Sequence, residues 1–495
     1  MSLHFGTAGV RAPLGAGPDR LNARTVTHVV TAVARHLREH HPAGSTVVVA
    51  GDARHGSADF VALACAVLSG HGLRVLTPGE PVATPVLAAA VRSRGAVAGL
   101  QVTASHNPPG DNGLKLYSAD GAQIVPPVDA QVEALLARVT AADPEPPGVD
   151  PHRPDAPAGV TLDPAMVDDH VAALVAALPT VERPPRVALT ALHGVGGALA
   201  LRVLAALGVD DVVVVDSQQR PDPDFPTVTS PNPERPETVA RVLELGERSG
   251  ADIVLALDPD ADRCATGARG PDGRLAMLDG DSAGALLAQH LLAAPAAPGE
   301  DTPVVASSVV SSRLPSLLVP ARGGRHVETP TGFKWLVRAG EPLRYAYEEA
   351  IGHCVLPRVV RDKDGVSAAA AWCAAVAGGP TAWERLDALH AEFGLHVRAN
   401  SSVPLTSGPG ADTAAALERA AGALAGLGRV TPLEGTTGLR VDTDGARAVL
   451  RPSGTEPLLK SYCEAWTAPR PSPADRGDAR RRLALLADAV ADTVG

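Results

Sequence analysis

The sequence predicts an α/β protein: three doubly wound domains with mixed or parallel sheets, then a C-terminal α+β domain. Three observations carry this. Short β-rich apolar runs alternate with helix-length amphipathic runs in three successive segments. A polar loop follows directly on the closing strand of each segment. The last hundred residues or so abandon the alternation.

In the first segment, Thr46–Gly51 reads as a strand, Ser57–Ser69 as a helix and Arg74–Thr77 as a strand. A helix at Thr84–Ser93 and a strand at Val97–Val102 complete it. Such runs imply right-handed βαβ crossovers. The second segment repeats the plan with strands at Arg186–Leu192, Asp211–Asp216 and Asp252–Leu257, and helices at Gly196–Leu207 and Pro236–Ser249. The third begins with a helix around Ser282–Leu292. Strands at Val304–Val310, His326–Thr329 and Arg344–Tyr347 follow, with a helix at Gly332–Arg338. Ala141–Ala158, rich in Pro, Asp and Ala, reads as a linker, and Pro221–Pro236 as a loop. Beyond residue 393, Val397–Pro404 and Gly438–Asp442 read as strands, and Ala411–Leu427 and Pro473–Val494 as helices.

The chain has 495 residues, enough for three to four domains or two large ones. It carries 44 basic and 55 acidic residues, a net charge of −11, which argues against bulk binding to nucleic acid or an anionic membrane. Four lysines (Lys115, Lys334, Lys363, Lys460) stand against forty arginines, a bias that leaves most arginines without a special role. The five cysteines contain no CxxC pair and read as small buried apolar residues. The N-terminus lacks a signal pattern, and the longest apolar run, Val171–Leu178, falls far short of the roughly 18 residues needed to span a bilayer. A cytoplasmic protein is expected.

In open parallel sheets ligands collect beyond the carboxyl ends of strands. Three polar loops stand there: Thr103-Ala104-Ser105-His106-Asn107-Pro108, Asp258-Pro259-Asp260-Ala261-Asp262-Arg263 and Glu348-Glu349-Ala350-Ile351-Gly352. Asp258, Asp260 and Asp262 can converge on one hard cation such as Mg²⁺. The same pattern also suits a solvated turn that caps a helix. Ser105, with His106 adjacent and Lys115 ten residues on, is a candidate nucleophile, or a turn serine bonded to its own backbone. Arg451-Pro452-Ser453-Gly454-Thr455-Glu456-Pro457 offers a guanidinium fork, hydroxyls and open N–H groups to a phosphate, or forms an ordinary turn.

These motifs, in this order and with Phe5-Gly6-Thr7-Ala8-Gly9-Val10-Arg11 ahead of them, resemble the α-D-phosphohexomutase superfamily, the phosphoglucomutase/phosphomannomutase group. Ala191–Gly196, Pro221–Pro226 and Thr329–Lys334 resemble its bacterial subgroup with a Glu-Glu-Ala-Ile-Gly sugar loop, which also holds phosphopentomutases. The resemblance implies a heart-shaped, four-domain enzyme around a central cleft, with domains at 1–150, 161–275, 276–392 and 393–495. It implies that Ser105 carries a phosphoryl group and that Asp258, Asp260, Asp262 and a phosphoserine oxygen hold one Mg²⁺. It gives Arg263 to the transferring phosphoryl, Arg11 to the phosphoserine region, and His106 and Lys115 to acid/base work. Glu348, Glu349 and Lys334 would meet the sugar; Arg451, Ser453, Gly454 and Thr455 would clamp the far phosphate.

The implied reaction interconverts the 1- and 6-phosphates of glucose or mannose through a sugar 1,6-bisphosphate, in a monomer or dimer acting on small phosphosugars. A phosphopentomutase, a bisphosphate synthase or phosphatase, and a non-catalytic paralogue are the alternatives. Ala350 stands where common hexose members have serine, which bears on sugar choice. His193 is expected to stabilise its turn.

Overall fold

The computed structural model describes residues 9–139, 159–293, 301–404, 411–453 and 458–494. The linker at 141–158, residues 5–8 of the first motif, and Gly454 and Thr455 of the last lie outside the described residues.

Four sheets follow one another along the chain. The first contains β1 (Val10–Pro13), β2 (Thr46–Gly51), β3 (Arg74–Thr77), β4 (Ala98–Val102), β5 (Asp111–Ser118) and β6 (Val160–Leu162), in the order β1-β5-β4-β2-β3-β6. β2 runs parallel to β3 and β4, and β3 to β6; β5 is antiparallel to both β4 and β1. All six residues of β2 and all five of β4 are buried, as strands covered on both faces must be. The helix Ala23–His40 has no counterpart in the sequence reading, although Val26, Val29, Val30, Val33 and Leu37 recur at helical spacing and are buried. Asn22 caps it, accepting from Thr25 N.

The second sheet has β7 (Val187–Thr190), β8 (Val212–Val214), β9 (Ile253–Leu257), β10 (Cys264–Arg269) and β11 (Leu275–Met277), in the order β11-β10-β9-β7-β8. β7 is shorter than the Arg186–Leu192 expected because Leu192 (φ +46°) and His193 (φ +59°) turn left-handed. The third sheet has β12 (Val304–Ser308), β13 (Arg325–Thr329), β14 (Leu343–Glu348) and β15 (Gly352–Cys354), in the order β13-β12-β14-β15. The helix expected at Gly332–Arg338 is one turn, Phe333–Leu336. The fourth sheet is wholly antiparallel: β16 (His396–Pro404), β17 (Arg429–Pro432), β18 (Leu439–Thr443), β19 (Ala446–Pro452) and β20 (Leu458–Trp466), in the order β16-β20-β19-β18-β17. Helices Ala411–Leu424 and Pro473–Val494 pack on this sheet and on each other. The chain is thus three mixed α/β units and one α+β unit, as its alternation predicts.

The first three units share one plan. In each, a buried parallel strand ends and an antiparallel strand returns beside it: β4 with β5, β9 with β10, β14 with β15. Each polar loop is therefore the turn of a hairpin, rather than the start of a crossover helix. Each turn holds one non-glycine residue in the left-handed region: Ser105 (φ +53°), Ala261 (φ +53°) and Ile351 (φ +54°). Such a conformation costs about 1–3 kcal/mol and persists only where its surroundings enforce it.

One apolar cluster runs through these three units, from Val86, Leu87 and Val91 through Leu199 and Val203 to Leu318 and Trp372, and each unit adds a smaller or separate cluster on its other face. The fourth unit has a core of its own, built on Leu424, Val441, Leu450, Leu459 and Val490. No helix among the described residues is long and apolar enough to cross a membrane.

Candidate functional site

The first and second hairpin turns meet. Ser105 is 1% exposed, and its hydroxyl donates to Asp258 Oδ2 at 2.8 Å, while His106 Nδ1 lies 3.2 Å from Ser105 Oγ. Asp258, Asp260 and Asp262 are all buried, and one carboxylate oxygen from each lies within 4.8 Å of the others. Asp260 Oδ1 and Asp262 Oδ1 are buried and accept no hydrogen bond. Lone pairs left free in a dry site of three carboxylates match the demand of a hard cation for oxygen ligands. The triad can hold a metal ion.

The metal loop is fixed from three sides. Thr84 N donates to Asp260 O, Val195 N to Pro259 O and Gly365 N to Ala261 O, at 3.0, 2.9 and 3.0 Å. The Gly-rich turn Ala191–Gly196 finds its reason here. A Cβ on Gly194 would stand 2.4 Å from Pro259 Cα, and one on Gly196 2.5 Å from Ala261 Cβ. His193 supports that turn as expected: its N–H donates to Gln218 O, and Nε2 lies 2.9 Å from Thr227 Oγ1.

Lys115 reaches the same cluster from β5, opposite Gln101 of β4. Its Nζ donates to Asp260 Oδ2 and Asp262 Oδ2, both at 2.7 Å. Burial alone would discharge this lysine, but the two carboxylates outweigh it and hold the ammonium above its ordinary range. Asp260 shows the converse. Burial opposes its ionisation, yet the Lys115 charge and bond and the Thr84 hydroxyl at 2.6 Å pull it far below its ordinary value. Asp258 has no such cation. Burial and then the charges of Asp260 and Asp262 push it well up. Burial, with Arg263 and Arg11 adding to it, keeps His106 neutral.

Arg11 and Arg263 complete the cationic rim. Arg11 NH1 is 3.5 Å from Asn107 Oδ1, and its Nε is buried without a partner. Arg263 reaches Glu234 at 3.5 Å, Asp262 at 3.7 Å and Ala350 O at 3.3 Å. Its backbone bridges to Gly352, which joins the second and third hairpins.

In the third hairpin, Glu348 Oε1 accepts from Gly332 N at 2.7 Å. Glu349 accepts from Ser308 Oγ at 3.0 Å and Ser311 Oγ at 3.3 Å. Burial and the neighbouring Glu348 raise its carboxyl to about 7. Lys334 is 5% exposed and lies 3.7 Å from Asp129 Oδ2. Arg451 is the last residue but one of β19, and its Nε is buried without a partner. Arg447 Nη2, also on β19, donates to Ser311 O, and the Ser311 hydroxyl donates to Glu349. The fourth unit thus borders the third hairpin. Ser453 follows Pro452, the last residue of β19, and Gly454 and Thr455 lie outside the described residues.

Three contributors escaped the sequence reading. Lys363 Nζ lies 3.4 Å from Asp262 Oδ2, under the Phe333 ring. Its signal was present: it is one of four lysines among forty arginines. Thr84 sits on a helix with no motif around it. Arg54, with Asp52, underlies the Ser105 loop.

Four domain profiles match the chain in order: phosphoglucomutase/phosphomannomutase α/β/α domain I over residues 2–143, domain II over 168–270, domain III over 279–393 and the C-terminal domain over 403–470. A Haemophilus influenzae protein named "Probable phosphomannomutase" is 31% identical over 482 residues, covering 92% of this chain and 95% of that one. A Schizosaccharomyces pombe "Probable phosphoribomutase" is 34% identical, covering 74% of this chain and 64% of its own length. For a Staphylococcus aureus phosphoglucomutase the identity is 32% and the shares are 74% and 66%, so the match spans just under two thirds of both these relatives.

Among solved structures, a Burkholderia thailandensis phosphoglucomutase/phosphomannomutase family protein superposes with a TM-score of 0.73 at 22% identity, covering 98% of this chain and 97% of that one. The open form of Paramecium pp63/parafusin gives 0.74 at 17% identity, covering 99% and 95%. An Aspergillus fumigatus N-acetylphosphoglucosamine mutase in complex with glucose 1,6-bisphosphate gives 0.56 at 16%, covering 99% and 95%. These likenesses establish the fold.

Proposed function

The chain belongs to the phosphoglucomutase/phosphomannomutase family, and from that premise we propose that it is a Mg²⁺-dependent phosphosugar mutase working through phosphorylated Ser105. One observation carries the reading: the Ser105 hydroxyl rests on a buried carboxylate triad, ringed by Lys115, Arg11 and Arg263, with a separate arginine loop on the fourth unit. We take the four units at 1–150, 161–275, 276–392 and 393–495 as its domains, and the cytoplasm as its compartment.

Asp258, Asp260, Asp262 and an oxygen on Ser105 would hold the Mg²⁺. When bound, it supplies charge neutralisation for phosphoryl transfer. The protein's own groups do the rest by positioning and charge. Glu348 and Glu349 orient the sugar hydroxyls, with Lys334 beside them. Arg451, with Ser453, Gly454 and Thr455, holds the phosphate that is not reacting. Arg263, Arg11 and Lys363 face the phosphoryl in transit.

In the first transfer the sugar 6-hydroxyl attacks the phosphorus on Ser105. The O6–P bond forms, the Oγ–P bond breaks, and the sugar proton moves to a base while Oγ recovers one. His106, 3.2 Å from the serine oxygen, and Lys115, bonded to the carboxylates beneath it, are the acid/base candidates by position. The bisphosphate turns over. Ser105 Oγ then gives up its proton and attacks the phosphorus at position 1; the Oγ–P bond forms, the O1–P bond breaks, O1 takes a proton, and the 6-phosphate leaves with phosphoserine restored.

A pentose reading has its own support. Ala350 offers no hydroxyl in the sugar loop. kcat/KM on glucose 1-, mannose 1-, ribose 1- and deoxyribose 1-phosphate decides the sugar. Ser105→Ala tests the class. Activity should fall by several orders of magnitude, and intact mass should show phosphate on the wild type only. Dephosphorylated enzyme should lag until a trace of sugar bisphosphate is added. Steady release of inorganic phosphate without a bisphosphate effect would make it a phosphatase.

A further inference from the structure

Arg54 lies two residues beyond Asp52 at the end of β2, and it is 4% exposed. Its guanidinium donates to four backbone carbonyls of one loop. Nη2 reaches Ser105 O and Asn107 O, both at 2.6 Å, and Nη1 reaches Pro108 O at 2.9 Å and Asp111 O at 3.2 Å. The loop so gripped is the one that carries Ser105.

The grip is itself held. Arg54 Nε lies 3.5 Å from Asp52 Oδ2. Asp52 accepts from Arg54 N at 3.0 Å, Ser57 Oγ at 2.7 Å and Thr103 Oγ1 at 2.6 Å. Thr103 Oγ1 accepts in turn from Ser105 N at 2.9 Å. The carbonyl and the amide of Ser105 therefore both lead back to one Asp52–Arg54 pair. Phe225, from the second unit, lies with its ring centroid 5.0 Å from the guanidinium.

Serine does not choose φ +53° unaided; its surroundings must impose it. A planar fork that serves four carbonyls at once can do so, and a lysine ammonium, a point charge with three rotatable donors, cannot. Arg54 touches neither the carboxylate triad nor the Ser105 hydroxyl.

We propose that Arg54, locked by Asp52, is a positioning residue that holds Ser105 left-handed with its oxygen over Asp258, so that a phosphoryl group is passed between serine and sugar rather than lost to water. The proposal rests on the phosphoserine reading above. Loosening the loop misplaces the carrier oxygen, and displacements of about 1 Å can cost on the order of 100-fold in rate. Substrate binding is set elsewhere, on Glu348 and Arg451. The loss should therefore fall on kcat and on the lifetime of phosphoserine, not on KM.

The test uses the full-length protein with saturating Mg²⁺ and glucose 1,6-bisphosphate, in wild type, Arg54→Lys and Arg54→Met. Folding is checked by circular dichroism and thermal unfolding. The expected result is a fall of about 10- to 100-fold in kcat with KM within about threefold. The half-life of the phosphate on Ser105, followed by intact mass without sugar, should shorten, and the need for added bisphosphate should rise. Arg54→Lys should recover only part of each. A folded Arg54→Lys with wild-type kcat and phosphoserine lifetime overturns the proposal. So does unfolding of both variants, which would make Arg54 a stability residue. A wild type that never gains phosphate on Ser105 overturns the mutase reading instead, and that result is seen before any variant is made.

Discussion

At the scale of single residues, the site is a balance of buried charges. Lys115 is bonded to both Asp260 and Asp262, and Lys363 adds a more distant contact to Asp262. Removing one partner of a buried ion pair typically costs about 3–5 kcal/mol, because the other charge is left stranded. Lys115→Met should lower stability by that amount in urea unfolding without divalent ions, and Mg²⁺ should restore part of it. An unchanged midpoint would show that the carboxylates are already neutral. Glu349 gives a pH signature. Its carboxyl is raised from 4.5 to about 7. Between those values the folded chain keeps a proton that the unfolded chain has released, so stability falls as pH rises through the window. The side chain is only half-buried, so the effect should be about 2 kcal/mol rather than the full shift. Tm measured from pH 4.5 to 7 should slope downward in the wild type, and Glu349→Gln should flatten that slope. Parallel slopes would place the titration elsewhere. Ser105, the three aspartates and Glu348 were legible because each stands in a polar run straight after an apolar strand. Arg54 and Thr84 were not. One arginine among forty carries no signal, and a threonine opening a helix reads as a cap.

At the scale of elements, sequence placed the strand ends well and the returns poorly. Thr46–Gly51 and Arg74–Thr77 match β2 and β3 residue for residue. β5, β10 and β15 went unread; β5 and β15 open on polar and small residues beside the site, Asp111-Asn112-Gly113 and Gly352. Alternation cannot be seen across such residues. The cost of disturbing these turns can be measured. A Cβ at Gly194 would stand 2.4 Å from Pro259 Cα and 2.5 Å from Pro259 O, both backbone atoms that cannot step aside. Gly194→Ala should displace the metal loop and destabilise the protein by about 1–3 kcal/mol. Its apparent Mg²⁺ affinity, from activity against metal concentration, should fall with it. Wild-type affinity would mean that the Ala191–Gly196 turn does not support the loop.

At the scale of the molecule, one apolar cluster ties three units together, while the fourth has its own core and meets the third through a small cluster of Val310, Leu433 and Val449. Polar contacts join the fourth to the third. Glu464 of β20 accepts across the joint from Ser312 Oγ at 2.5 Å and Arg313 N at 3.1 Å, and within its own unit from Arg447 Nε at 2.9 Å, with His396 Nδ1 3.0 Å away. Burial works against its charge, but His396, Arg447 and Ser312 outweigh it and hold the carboxyl near 2. This contribution is present above about pH 4.5 and is lost as pH falls toward 2. Arg447 Nη2 also donates to Ser311 O, and the Ser311 hydroxyl donates to Glu349. The joint is therefore wired to the third hairpin. Glu464→Gln should cost about 3 kcal/mol and raise KM, since Arg451 rides on the loosened unit. Small-angle scattering should show a broader range of shapes. Unchanged scattering and KM would mean that the apolar contacts alone set the angle.

The first sheet ends on β6, a three-residue strand that pairs with β3 and lies beyond residue 158. The chain must cross the 141–158 stretch and come back before that sheet is finished. Anyone dissecting the protein into pieces inherits this constraint. A fragment stopped at residue 150 would present β3 as a naked margin, ready to recruit a strand from its neighbour. During synthesis, too, the first unit is incomplete until the opening residues of the second have left the ribosome. The modules that sequence profiles delimit are in this sense stitched: the seam between the first two lies inside a sheet, and swapping one unit for a homologue's would need the cut moved past Leu162.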